Sequence, residues 1–110
     1  MFNMKASIPP LTISSDTLFK DVNGKTFKLC LNTAKHIVFE HRIYHLEDFI
    51  KNTLLKPSTI LESKHSCDCQ LYYAQKLPNK NYRVVVVNVA TNIILTAYIS
   101  NKIKGGKIIW

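Results

Sequence analysis

CQLYYAQKLPNKNYRVVVVNVATNIILTAYIS, residues 69–100, contains three runs rich in β-branched and aromatic residues, parted by the short breaks PNK and ATN. Such runs suit the pleated surface of a sheet, and breaks this short join antiparallel neighbours. Val84, Val85, Val86 and Val87 stand consecutively in the middle run, the pattern of a strand buried on both faces and therefore central. In the third run Ile93, Leu95, Ala97 and Ile99 share one parity, and Thr96, Tyr98 and Ser100 the other. One face of that strand is expected to be apolar and the other to carry hydroxyls. An antiparallel meander follows, with something packed on its apolar face.

The chain before the meander supplies the packing element. In KHIVFEHRIYHLEDFIKNTLLKP, residues 35–57, Phe39, Ile43, Leu46, Ile50 and Leu54 recur in steps of four, three, four and four, one apolar stripe at helical period. Thr33 or Asn32 can cap its start and Pro57 stops it. A break near Arg42 to Tyr44 would give a short helix followed by a longer one. Further upstream, Asn23-Gly24 separates two apolar runs, a tight-hairpin signal, with Phe27, Leu29 and Leu31 alternating against Lys28 and Cys30. STILES, residues 58–63, reads as a brief strand, and IKGGKIIW, residues 103–110, as a bend and a last short strand. The expected fold class is α+β, one domain over residues 1–110: an extended arm (1–15), a hairpin (16–32), a helical region (33–56) and a meander (59–110). The hairpin and helical region are expected on one face of a roughly four-stranded antiparallel sheet.

Fifteen Lys and Arg against seven Asp and Glu give the 110-residue chain a net charge of +8, a field that attracts polyanions. Nucleic acid is the expected partner. No apolar run of membrane-spanning length exists, so no membrane partner is expected. Three cysteines, Cys30, Cys67 and Cys69, cannot form a complete disulfide framework. The N-terminal stretch has no continuous apolar core of a signal peptide and is interrupted by Pro9 and Pro10. A reducing cytoplasm is the expected location, reached directly or by delivery as the C-terminal domain of a secreted effector.

Titratable groups concentrate in the helical region. His41, His45, Asp48 and Asn52 are spaced by four, three and four, which on one continuous helix stacks them on a single face. Asp48 could then orient the His45 imidazole, with Arg42 beside the row, an arrangement suited to proton transfer near neutral pH. The alternative is an ordinary solvated face. His41 and His45 also have the spacing of a zinc pair, and HSCDC offers His65, Cys67 and Cys69, but no third ligand is placed by motif; no metal or other cofactor is expected. On the last strand Thr96 and Tyr98 can meet phosphate and base. Arg83, with Lys102, Lys104 and Lys107 around Gly105-Gly106, offers cations for RNA.

The His- and Arg-bearing helical segment, TLLKPSTI (53–60), a tyrosine-containing strand, VVVV (84–87), ILTAYIS (94–100) and the lysine–glycine tail together resemble the PBECR family. These are phage and mobile-element relatives of the barnase, EndoU, colicin-ribonuclease and RelE superfamily. The resemblance runs from residue 35 to 110 and departs at His45-Leu46, where the family carries His-Pro. It implies a metal-independent endoribonuclease whose helix packs on a four-stranded antiparallel sheet, with RNA lying across the sheet. The expected function is an endoribonuclease toxin that cuts tRNA or other RNA and leaves a 2′,3′-cyclic phosphate. His45 and His41 are the expected acid and base, with His36 in reserve, Arg42 the phosphate clamp, and Thr96 and Tyr98 the substrate contacts. An acidic antitoxin or immunity protein is the expected inhibitor. A non-catalytic RNA-binding or protein-interaction module is the rival reading.

Overall fold

A computed structural model of the chain describes residues 9–76 and 81–110. The PNK break at 78–80 and the first eight residues of the arm lie outside the described residues. The elements are β1 (Thr17–Lys20), β2 (Thr26–Leu29), α1 (Leu31–His41), α2 (Leu46–Leu55), β3 (Thr59–Glu62), β4 (Cys69–Lys76), β5 (Asn81–Asn88) and β6 (Ile93–Ser100). The class is α+β, but the sheet has six strands, not four, in the order β1-β2-β6-β5-β4-β3. Strands β3 to β6 form the expected antiparallel meander, with β5 inside it. The hairpin joins through a single parallel pair, Lys28 opposite Ile93. No local pattern in the hairpin announces that long-range pairing.

The two faces of the sheet differ. Ile60, Tyr72, Val85, Val87, Ile94 and Ala97 point into the core against α1, α2 and the hairpin. On the opposite, open face, Leu61, Tyr73 and Val84 are buried among half-buried Leu71, Tyr82, Val86 and Tyr98. A bulge between Val86 and Val87 sets Val87 opposite Ile94 and Val86 opposite Thr96. The extra residue, Leu95, is 42% exposed. The bulge therefore shifts the expected parity: Ile94 and Ala97, rather than Ile93 and Leu95, face the helices.

Both helices differ from a single continuous stripe. Leu31 is the first residue of α1 and not the end of β2. Neither Thr33 nor Asn32 caps the helix. Asp16 does, its Oδ1 accepting the Leu31 N–H at 2.8 Å from fifteen positions upstream. Phe39 is 50% exposed while Ala34, Ile37 and Val38 make the buried face of α1. The helix ends at Arg42, in the left-handed region at φ 52°, with its N–H still bonded to the Val38 carbonyl. Ile43 drops into the core, 2% exposed. His45, at φ 53°, then starts α2, which buries Leu46, Phe49, Ile50, Thr53 and Leu54.

The hairpin loop is held by a buried carboxylate. Gly24, at φ +84°, closes a turn whose head residue, Asp21, is 2% exposed. Its Oδ1 accepts the Asn23 and Lys25 N–H groups at 2.9 and 2.8 Å. Its Oδ2 accepts the Tyr72 hydroxyl of β4 at 2.6 Å. Phe27 meets the same ring edge-on, centroids 6.2 Å apart. Since β6 and β5 separate β2 from β4 in the sheet, the hairpin must lean across the helix-covered face to reach Tyr72. A buried carboxylate is stable only with its acceptors filled. Replacing Asp21 by Ala strands three donors and should lower unfolding free energy by about 3 kcal/mol or more. Tyr72→Phe removes one donor of three and should lose about 1 kcal/mol; urea denaturation of the two variants reads the difference, and equal losses would contradict this account.

Candidate nucleic-acid interface

The end of β6 organises two groups of candidate side chains, one on each face. α1 packs against β6, whose side towards β2 has no strand pairing beyond Ile93 among the described residues. The last turn of the helix thus reaches the margin of the open face. There the centroid of the His41 ring lies 5.9 Å from that of Tyr98, and the centroid of His36 lies 5.6 Å from that of His41. Three rings from two distant stretches form a continuous row. Burial, and then the neighbouring Tyr73 hydroxyl, push Tyr98 above the ordinary tyrosine value, so it remains a neutral hydrogen-bond donor at physiological pH.

Behind Tyr98 the open face continues in rows set by strand register. Tyr73, Val84 and Tyr98 lie abreast on β4, β5 and β6, and Leu71, Val86 and Thr96 form the next row. The Thr96 Oγ1 is buried without a hydrogen-bond partner. Tyr82 stands edge-on to Tyr73, centroids 6.0 Å apart, and gives the face a second half-buried aromatic ring. Tyr82 was discoverable from sequence: it shares parity with Val84 and Val86 on a strand known to be central.

The C-terminal tail straps this face. The Tyr73 hydroxyl bonds both the carbonyl and the N–H of Lys104. Gly105 then passes so close to β3 that a Cβ would lie 3.1 Å from Leu61, and one at Gly106 3.0 Å from the Glu62 carbonyl oxygen. Residues 107–110 pair with the outer edge of β3, Leu61 opposite Ile108. The last short strand expected from IKGGKIIW is thus reduced to a single bridge, and the bend before it is present at Gly105-Gly106. Lys102 and Lys104 are exposed on the strap, whereas Lys107 sits beyond it at the β3 edge. A hollow of about 310 Å³ opens beside the strap, bordered by Lys64, His65, Leu71 and Lys104. The open face therefore runs from the imidazoles at β6 to cations at β3, about 14 Å across three strand intervals.

The second group faces the other way. Arg42, His45, Asp48, Asn52 and Arg83 line a cleft of about 300 Å³ on the helix side, floored by Ile43, Phe49 and Ile99. Ile99 and Tyr98 are successive residues of one strand, so they point to opposite faces. The break between the helices has split the row His41, His45, Asp48 and Asn52: His41 joins Tyr98, and the other three join Arg83. The structure thus groups His36, His41, Thr96 and Tyr98, and separately Arg42, His45 and Arg83. The alternative zinc donors are dispersed, with no three His, Cys, Asp or Glu side chains gathered as metal ligands among the described residues. No described helix is long and apolar enough to cross a membrane.

Compared with models of protein families, with curated proteins and with solved structures, the chain matches none. Its chemistry must be argued from its own side chains.

Tyr72 and Tyr98 both hold their protons above the ordinary value near 10. A raised value in the folded state stabilises fully below pH about 10 and fades as pH rises beyond it, where only the unfolded chain ionises. Folding stability should therefore decline above pH about 10, and Tyr98→Phe should make that decline shallower in denaturant titrations. An unchanged slope would show that Tyr98 ionises freely.

Proposed function

We propose that the protein is an endoribonuclease that binds RNA across the open sheet face and cuts it at the His36–His41–Tyr98 row, without needing a metal ion. The carrying observation is that row: two imidazoles in ring contact, the nearer touching a protonated phenol. RNA cleavage by its own 2′-hydroxyl asks for those groups. One neutral imidazole takes the 2′-hydroxyl proton as the oxygen bonds to phosphorus. The bond from phosphorus to the 5′-oxygen breaks, and the other imidazole, protonated, supplies that oxygen's proton. The products are a 2′,3′-cyclic phosphate and a 5′-hydroxyl. Tyr98 donates to a non-bridging oxygen where charge develops; the Thr96 hydroxyl, two residues along the same face, is buried and is not offered to the strand. Lys102 and Lys104 supply the cation that Arg42, on the opposite face, does not. Unpaired nucleotides would stack on the half-buried tyrosines, as in a tRNA loop.

This reading agrees with the PBECR resemblance in placing RNA on the sheet, but transfers the leading role from His45 to His41. Such an activity harms the cell that contains it, so the protein acts as a toxin and an acidic antitoxin or immunity protein is its inhibitor, attracted by the net charge of +8. In EDTA, purified protein should cut total tRNA and leave cyclic-phosphate ends. His41→Gln should lower the rate by about 10²- to 10⁴-fold while RNA affinity stays within a few-fold. If His41→Gln cuts at the wild-type rate, or if folded protein cuts no RNA, the reading fails; retained binding with no cleavage by any variant would favour the non-catalytic module.

A further inference from the structure

The cleft on the helix side of β6 takes no part in the chemistry above, yet it has the features of a binding site. Arg83 presents a buried Nε with no hydrogen-bond partner. A buried donor left open is unfavourable, and native structures fill such groups unless something else supplies the acceptor. Arg83 lines the cleft together with Arg42, so two guanidiniums face one carboxylate, Asp48. A guanidinium fork matches carboxylate and phosphate oxygens alike, and a second guanidinium in the same cleft favours the more highly charged phosphate.

The rest of the lining describes what the phosphate is attached to. The floor, Ile43, Phe49 and Ile99, is apolar, and the exposed Tyr44 ring stands at its rim. Asp48 and Asn52, one helical turn apart on α2, offer an acceptor and a mixed donor–acceptor pair. An apolar shelf, an aromatic edge and two hydrogen-bonding groups beside paired cations suit a heterocyclic base with its phosphate. At about 300 Å³ the cleft holds one such unit, at the small end of ligand sites. The left-handed backbone at Arg42 and His45 adds a second sign, because such strain collects at ligand clamps.

We propose that this cleft is a nucleotide-binding site, distinct from the open face, which holds one nucleoside monophosphate unit with its phosphate on Arg42 and Arg83 and its base over Ile43 and Ile99. The unit is either a free nucleotide or one nucleotide of an RNA strand passing around the end of β6. The site does not depend on the ribonuclease reading, because nothing in it requires cleavage.

The test titrates adenosine and guanosine 5′-monophosphate into isotope-labelled full-length protein, carried as His41→Gln, and follows the Asn52 and Ile99 amides and the Arg83 Nε–H by NMR. Saturable shifts at these positions are expected, with tighter binding than inorganic phosphate shows. Arg83→Gln should weaken nucleotide binding by about tenfold or more. Arg42→Gly removes the other guanidinium at a position whose φ favours glycine, so its melting temperature should not fall while its affinity does. A short RNA that moves the same signals identifies the strand as the source; signals moved by mononucleotide alone identify a free nucleotide. Absence of shifts at millimolar nucleotide, or wild-type affinity in either arginine variant, overturns the proposal. Because cleavage is scored separately by comparing His41→Gln with wild type, failure of the cleft leaves the ribonuclease reading standing, and the reverse holds too.

Discussion

Ile43 must be buried, and the geometry around it follows from that requirement. One apolar side chain sits between two polar helices' ends, and placing it in the core at 2% exposure contributes about 2 kcal/mol of hydrophobic stabilisation. A continuous helix from residue 31 to 55 could not do this while also laying Ala34, Ile37 and Val38 against β6 and Ile50 and Leu54 over β4 and β5. The chain instead changes direction across four residues, using left-handed φ at Arg42 and His45. That turn sends His41 to one face of the sheet and His45 to the other. The division of functional groups is thus a consequence of core packing.

The sheet accommodates the same division. β5 lies between β4 and β6 and is buried by helices on one side and by a rim of tyrosines on the other. The open face escapes full exposure because the tail crosses it, anchored by the Tyr73 hydroxyl and seated closely on β3 at Gly105 and Gly106. Side chains at those two glycines would push the strap off. What remains uncovered is the half nearest β6, where the half-buried Tyr98 and Tyr82 stand. Strap and helix end therefore flank the uncovered half of the face, brought together from residues 41 and 102–106.

Much of this was legible in the residues before any coordinates. Asn23-Gly24 announces the hairpin, the valine run announces a central strand, and the break between the helices is visible around Arg42. Those signals are local: turn chemistry, parity and period each operate within a few residues. What escaped them depends on distant partners. Asp16 caps a helix fifteen residues on, Asp21 answers a tyrosine fifty-one residues on, and a bulge reverses the parity of Ile94 and Leu95. The site divides in the same way. His41 and Tyr98 were both identifiable as candidates by type, but the left-handed linker that separates His41 from His45 reverses their neighbourhoods. An i, i+4 rule holds only while one helix continues through both positions.

The linker also bears on why these residues stand there. Left-handed φ at a helix end is the position that glycine fills at no steric loss, and a side chain there costs about 1 kcal/mol. The chain places arginine at one such position and histidine at the other. If turning the corner were the whole requirement, glycine at 42 and 45 would do it with greater stability. Histidine tolerates this region better than β-branched residues do, which reduces the loss at position 45 without removing it. Arginine gains nothing of that kind from the backbone. A guanidinium held in that region is not accounted for by the fold it terminates; the proposed nucleotide site would account for it by the charge it presents, with Arg83, to the cleft.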